Sequence, residues 1–403
     1  MALSHPVLRR CAGRATDRFA GDYWGRRPLL TERDGTGFDD LLSLADVDEL
    51  LSRRGLRTPF LRVVRGGAAV VAGEFTGSGG IGAEVGDQIA DDRLLGLLDG
   101  GATLVLQGLH RLWSPIIDFA GALGADLGHP VQVNAYVTPP ATQGLSTHYD
   151  VHDVFVLQVA GQKRWVVHEP VHPLPLRSQP STGRRAEVAR AARGAPALDV
   201  VLRPGDALYL PRGWLHAAEA LGEVSLHLTV GIHAITRYAL VEALVALAAD
   251  EPALRESLPL RIDLADAGAL ADELAETVRA LVKRVQDATP EEVAVGLRSA
   301  VWPGTRPAPL APLAQAAAIQ ALAADTVVKL REGLRYRLGP AGDRVRLELA
   351  DRTITFPGAV RPALVAILDG GPALAGGLPG LDPDDRLVLV RRLLREAVVV
   401  PAP

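Results

Sequence analysis

The chain has 403 residues, is 48% apolar and 22% charged, and carries a formal net charge of −4. That is an ordinary globular composition, long enough for two or three domains, with no overall attraction to nucleic acid or an anionic membrane. The single cysteine, Cys11, rules out an internal disulfide framework and fits a reducing, cytoplasmic setting, and no run of 18 or more apolar residues is present to span a membrane.

The start, Met1-Ala2-Leu3-Ser4-His5, has no basic stretch followed by an apolar one, so no secretory leader is expected. From Phe38 to Arg54 the leucines and Val47 recur at helical spacing. Short strands are predicted at Leu61–Val64, Ala69–Val71 and Thr103–Leu106 between glycine-rich turns. A helix follows over Leu109–Leu127, with Gly128 placed to end it. The strongest strand signal lies in residues 130–235, at Val131–Val137, Val154–Val159, Lys163–Val167 (after a turn at Gly161), Asp206–Leu210 and Val224–Val230. Several antiparallel strands at this spacing predict a sandwich or barrel. The Arg-, Ala-, Ser- and Pro-rich stretch Leu174–Pro196 has no strand period and reads as a surface insertion bordering the site mouth.

Beyond Ala234 the period becomes helical. Segments are predicted at Tyr238–Ala249, along the apolar stripe Leu270, Leu274, Val278, Leu281 and Val285, and after Thr289-Pro290-Glu291-Glu292, a capping box with proline at the first helical position. The region 236–302 therefore reads as a helical packing or dimerisation module. In 303–403, helices at Leu313–Ala324, Arg361–Leu368 (ended by Gly370) and Asp382–Glu396 mix with strands at Val327–Leu338, Val345–Phe356 and Val398–Val400, suggesting a winged-helix-like domain.

The chemistry concentrates in Thr147-His148-Tyr149-Asp150 and in Pro211-Arg212-Gly213-Trp214-Leu215-His216. In an extended segment His148 and Asp150 leave the same face. A second imidazole from a later strand completes two histidines and one carboxylate on one side of a metal, the set used by non-haem Fe(II) oxygenases. Lysine occurs only at Lys163, Lys283 and Lys329, the arginine-rich usage of a GC-rich bacterial genome, so a lysine kept beside this site stands out. His152 and Asp153 add spare ligand types immediately after the motif.

Taken together, Asn134-x-Tyr136, Thr138-Pro139-Pro140, His148-x-Asp150, Phe155-Val156-Leu157-Gln158, Gly161-x-Lys163-Arg164-Trp165, Pro204-Gly205-Asp206 and Pro211-Arg212-Gly213-x-x-His216 resemble the ribosomal oxygenase branch of the JmjC/cupin superfamily. The match is dense from Val131 to His233 and looser elsewhere. It implies an α+β fold: a double-stranded β-helix catalytic domain over 1–235, a helical dimerisation module over 236–302 and a winged-helix-like domain over 303–403. It further implies Fe(II) held by His148, Asp150 and His216, with O₂ and 2-oxoglutarate as cosubstrates. Lys163 would pair with the distal carboxylate of 2-oxoglutarate, and Asn134 and Tyr136 would lie near it. From strand alternation, His227 and Thr229 share a face and either line this cosubstrate pocket, where Thr229 is the candidate contact, or simply pack. The implied activity is hydroxylation of a His or Arg side chain of a ribosomal protein by a cytoplasmic homodimer, with no membrane or nucleic acid partner expected. Three rivals stand beside it: lysine demethylation on the same scaffold, which the flanking motifs disfavour; hydroxylation of a peptide or small-molecule natural product; and a non-catalytic protein-binding module.

Overall fold

A computed structural model describes residues 5–32, 37–140, 142, 144–369 and 371–402. Residues 1–4, on which the leader expectation partly rests, and Gly370, the expected helix stop, lie outside the described residues. Two compact units divide the chain, residues 1–234 and 235–403.

The first unit contains β1 (Leu29–Thr31), β2 (Leu61–Arg65), β3 (Ala68–Ala69), β4 (Thr76–Gly77), β5 (Gln88–Ile89), β6 (Thr103–Leu106), β7 (Val131–Thr138), β8 (Asp153–His168), β9 (Leu198–Leu202), β10 (Ala207–Leu210) and β11 (Leu215–Ile232). Nine of them form one antiparallel sheet in the order β1-β10-β8-β11-β7-β6-β2-β3, with β9 added on β8, and β4 pairs with β5 apart from it. This is the cupin-type arrangement. On one face, Val133, Ala135, Phe155, Leu157, Leu226 and Leu228 are buried against the helices Pro6–Ala12, Leu44–Arg53 and Ser114–Leu127. On the other, Val154, Val156, Trp165, Val167, Leu208 and Leu210 make a smaller interior cluster.

Two features depart from the sequence expectation in ways that shape the site. Gly161 does not end a strand: β8 runs through it, with φ +64° at that residue, and β11 extends back to Leu215 rather than starting at Val224. Against β11, Leu226 faces Ala160 while His227 faces Gln158, so Val159 is an extra residue, a β-bulge. A strand that gains one residue swaps its faces beyond that point. Lys163 and Trp165 therefore point to the same side as Val154 and Val156. A Cβ on Gly161 would stand 2.3 Å from Val224 O, so the bend needs glycine.

The other differences are local. The helix expected from Phe38 begins at Leu44, where Ser43 and Asp46 form a capping box. The helix expected over Leu109–Leu127 is interrupted at extended Trp113, and Gly128 ends it at φ +70°. The 174–196 stretch is not without regular structure: a 3₁₀ turn (Ser181–Arg184) leads into the helix Arg185–Ala191.

In the second unit the helices Arg237–Ala246, Ala271–Gln286 and Pro290–Val301 stand where the pattern predicts, the last with the Thr289/Glu292 capping box. The strands expected at Val327–Leu338 and Val345–Phe356 are each two: β12 (Val327–Leu330) with β13 (Tyr336–Ala341), and β14 (Arg344–Leu349) with β15 (Thr353–Pro357). With β16 (Ala373–Leu374) and β17 (Val399–Pro401) they make the three-stranded sheets β16-β12-β17 and β13-β14-β15, packed on the helices Arg361–Leu368 and Pro383–Arg395. Asp382 occupies the N-cap of the last helix, but its side chain makes no capping hydrogen bond.

Candidate metal and cosubstrate site

His148 and His216 face each other as an isolated antiparallel bridge, with His216 N–H donating to His148 O at 2.8 Å and the reverse bond at 3.2 Å. Asp150 is tied next to them by Gly213 N–H donating to its carbonyl at 3.0 Å. Alternation then does the rest: His148 and Asp150 share one side, while Tyr149 between them is buried against Val188 and Leu215. One ligand atom from each of His148, Asp150 and His216 falls within 4.8 Å of the other two, and His216 Nε2 lies 3.7 Å from Asp150 Oδ2.

The protonation of this trio suits a cation. His148 Nδ1 lies 2.8 Å from Ser146 O, and His216 Nδ1 lies 3.1 Å from Trp214 O. A carbonyl only accepts, so each Nδ1 carries the proton and each Nε2 is left with its lone pair. Burial pushes the His216 imidazole down to about 4, so it is neutral at physiological pH, as a ligand must be. Burial acts to raise the Asp150 carboxyl, but the neighbouring imidazoles of His216, His148 and His152 together outweigh it and hold the group below its ordinary value.

The trio opens on a cavity of about 260 Å³, also lined by Arg62, Thr103, Tyr136, Lys163, Trp165, His227 and Thr229. Lys163 is 3% exposed, and its Nζ donates to Thr138 Oγ1 at 2.9 Å. No carboxylate pairs with it among the described residues, and burial drives its ammonium down to about 7. His227 is stacked on Tyr136 at 5.0 Å and meets the Trp165 ring edge-on at 5.5 Å. Burial, then the Lys163 charge, holds it well below its ordinary value.

Of the residues picked from sequence, His148, Asp150, His216, Lys163, Tyr136 and Thr229 are brought to one cavity. Asn134 is not among the lining residues; it pairs in register with Thr229 and its Oδ1 accepts from Gly108 N–H at 3.0 Å. Asp153 is no spare ligand: it is fully buried and ion-paired to Arg212 at 3.2 Å. His152 stacks on His233 at 5.4 Å, outside the cavity lining. Arg164, next to Lys163, points outward to Asp199 at 2.6 Å. Sequence reading missed Arg62, Thr103 and Trp165. Only Trp165 had a signal, its two-residue spacing from Lys163.

A cupin-type barrel with two imidazoles and a carboxylate at one cavity defines the class of metal-binding JmjC domains. Comparison with known proteins agrees: residues 122–240 match the JmjC domain family. Ribosomal oxygenase 1 of Gallus gallus is 31% identical over 71% of this chain and 48% of its own length. NO66 of Drosophila persimilis, a bifunctional lysine-specific demethylase and histidyl-hydroxylase, is 41% identical over 33% of this chain and 19% of its own. The chain thus spans about half or less of the length of these curated relatives. A crystal structure of the Escherichia coli ribosomal oxygenase YcfD superposes with a TM-score of 0.55 at 20% identity, covering 96% of this chain and 98% of that one. YcfD has also been solved in complex with cobalt and 2-oxoglutarate, with a TM-score of 0.53 at 19% identity over the same shares of the two chains. The chain thus carries a JmjC domain over residues 122–240 and is similar in sequence and fold to ribosomal oxygenases.

Proposed function

We propose that this protein is an Fe(II)- and 2-oxoglutarate-dependent oxygenase that hydroxylates a side chain of a ribosomal protein, with His148, Asp150 and His216 holding the iron. One observation carries the reading: the three ligand atoms and the buried, carboxylate-free Lys163 line the same cavity. Iron(II) bound there would, with O₂ and 2-oxoglutarate, supply the oxidation that places an oxygen atom in a C–H bond while the oxo acid becomes succinate and CO₂.

The chain's own groups do the rest. The carbonyls of Ser146 and Trp214 keep both Nε2 atoms aimed inward. Lys163 takes the distal carboxylate, since a buried ammonium is costly until an anion pairs with it. Tyr136 and Thr229 form the wall beside it, and Asn134 braces that wall through Gly108. The walls are mostly apolar or buried and limit water.

The charge inventory selects among targets. Among the described residues Asp150 is the only carboxylate lining the cavity, against the cations Arg62 and Lys163. A guanidinium or a methylated lysine entering there would lack an anionic partner, whereas a neutral imidazole needs none. Histidine is therefore the target side chain on this reading, which the histidyl-hydroxylase name of the NO66 relatives supports. We also assign self-association to the second unit. The helix Ala271–Gln286 buries no residue and exposes Leu274, Val278 and Val282 at four-residue spacing, an apolar stripe that a second copy would cover.

The test is succinate formation by the full chain with Fe(II), ascorbate and purified ribosomal proteins, beside His148→Ala. The expected result is turnover that needs His148, with one added oxygen on a histidine of one protein. Oxygen on an arginine would overturn the charge argument, and turnover confined to a small peptide or metabolite would favour the natural-product reading. Absence of turnover together with absence of metal binding would leave a binding module.

A further inference from the structure

The segment between Leu174 and Pro196 holds five arginines and one carboxylate, in a chain whose net charge is −4. Arg184 is paired with that carboxylate, Glu187, at 3.3 Å. The other four, Arg177, Arg185, Arg190 and Arg193, are exposed and make no ion pair among the described residues. This is a local reversal of sign within one exposed segment.

The segment is also fastened to the metal site. Tyr149, between the two ligands His148 and Asp150, donates its hydroxyl to Gln179 O at 3.0 Å, and the Gln179 side chain accepts from Leu176 N–H at 2.9 Å. Val188, on the helix Arg185–Ala191, is buried with Tyr149 and with Leu215, the residue before His216. Arg177 reaches the site's flank, where its charge is among the causes that lower the His233 imidazole. Guanidiniums are thus displayed on a platform whose underside touches the residues flanking the metal ligands.

Four unpaired arginines gain little from isolated surface ion pairs but much from a polyanion, which releases its condensed counterions on binding. The planar fork of arginine fits phosphate oxygens two at a time. A basic peptide would be repelled by the same surface. On the reading proposed above, on which this inference rests, the target comes from the ribosome, where protein side chains are set among RNA phosphates.

We propose that the 174–196 surface docks the phosphate backbone of RNA, so that the enzyme takes its protein target while that target is still bound to RNA. A chain whose net charge is −4 can do this because binding follows the local field within about 10 Å, the screening length at 0.1 M salt.

The experiment uses the full chain, a fluorescein-labelled single-stranded oligouridylate, and the quadruple variant Arg177→Gln/Arg185→Gln/Arg190→Gln/Arg193→Gln. Anisotropy is read from 50 to 200 mM KCl. Four phosphate contacts predict a slope of log K against log salt of about −3, from roughly −0.7 per phosphate on a single strand. The variant is expected to bind at least tenfold more weakly, with a flatter slope, while its circular dichroism and its 2-oxoglutarate turnover match the parent. Equal binding by parent and variant, no binding at 50 mM, or a polyglutamate peptide bound as tightly as the RNA would each overturn the proposal. Turnover without RNA binding sinks the surface alone. RNA binding without turnover or metal binding sinks the oxygenase reading and leaves the surface standing.

Discussion

The ion pair between Asp153 and Arg212 offers the sharpest energetic test of how the site is held. Asp153 lies three residues after Asp150 and Arg212 four before His216, so the pair ties together the two segments that carry the ligands. The side chains are 0% and 13% exposed, so little solvent screening applies. Asp153 also accepts from Arg212 N–H at 3.0 Å and from the Tyr209 hydroxyl at 3.2 Å, and that hydroxyl in turn accepts from Gly25 N–H at 2.9 Å. Arg212→Met keeps the aliphatic stem and the backbone donor but leaves a buried carboxylate without its cation. Breaking a buried pair from one side costs about 3–5 kcal/mol, and the two surviving hydrogen bonds put this case at the lower end, about 3 kcal/mol. For a unit of this size that corresponds to about 6–12 °C in Tm. Thermal unfolding followed by near-ultraviolet circular dichroism is the assay, since four of the five tryptophans lie in the first unit. Adding Asp153→Asn to Arg212→Met removes the stranded charge while keeping an acceptor for Tyr209 and the Arg212 N–H, so it should recover at least half the loss. A single-variant cost below about 1 kcal/mol, the range of exposed pairs, would refute the reasoning. So would a double variant less stable than the single.

Other outcomes follow from the same geometry. Lys163, lowered to about 7 in the folded protein, must take up a proton to pair with a dianionic cosubstrate. Affinity for 2-oxoglutarate with a non-reacting divalent metal should therefore be full below that value and fall by up to about tenfold per pH unit above it. Isothermal calorimetry in buffers of different ionisation heat should show that proton uptake, and Lys163→Met should abolish both effects. The same shift acts on folding in the opposite sense: between about 7 and the ordinary lysine value the unfolded chain holds a proton the folded one lacks, so this group's contribution to stability rises with pH there. Gly231→Ala puts a Cβ 2.3 Å from the His152 ring, for an expected cost of about 1–3 kcal/mol in denaturant melts, and His152→Ala added to it should restore most of that. Val278→Glu, on the stripe with Leu274 and Val282, should convert a dimer to a monomer in sedimentation without changing turnover.

The convergence of the candidate trio was legible in the sequence because strand alternation alone puts His148 and Asp150 on one side, and the bridge to His216 is a local pairing of two short segments. The alternation of buried and half-buried positions along Gln132–Val137 of β7 was legible for the same reason. What alternation does not carry is a change of register. Counting by twos along β8 from Val156 sends Arg164 into the cavity and Lys163 outward, and only the bulge at Val159 reverses that assignment. The sequence motif pointed to Lys163 through resemblance, not through any rule about strands. Physically the reversal needs a residue that tolerates φ +64° with a carbonyl 2.3 Å from where its Cβ would be, and Gly161 is that residue. A glycine that looks like a turn in sequence is thus what places the cation.

Gly161 therefore links fold to chemistry in a way that can be separated experimentally from stability. Gly161→Ala would either straighten the strand or strain it. If the bulge is lost, the faces of residues 162–168 swap, Lys163 leaves Thr138 for the surface, and Trp165 leaves the neighbourhood of His216. Metal binding, which depends on segments before Asp153 and on the β11 bridge, should survive. Binding of 2-oxoglutarate should weaken by about 10- to 100-fold, the loss of one charge-assisted contact of about 1.5–3 kcal/mol. If the bulge is kept under strain, stability falls and both affinities remain. Cobalt(II) titration alongside 2-oxoglutarate titration distinguishes the two. Loss of metal binding with the cosubstrate site intact would show instead that the bulge serves the ligands and not the lysine.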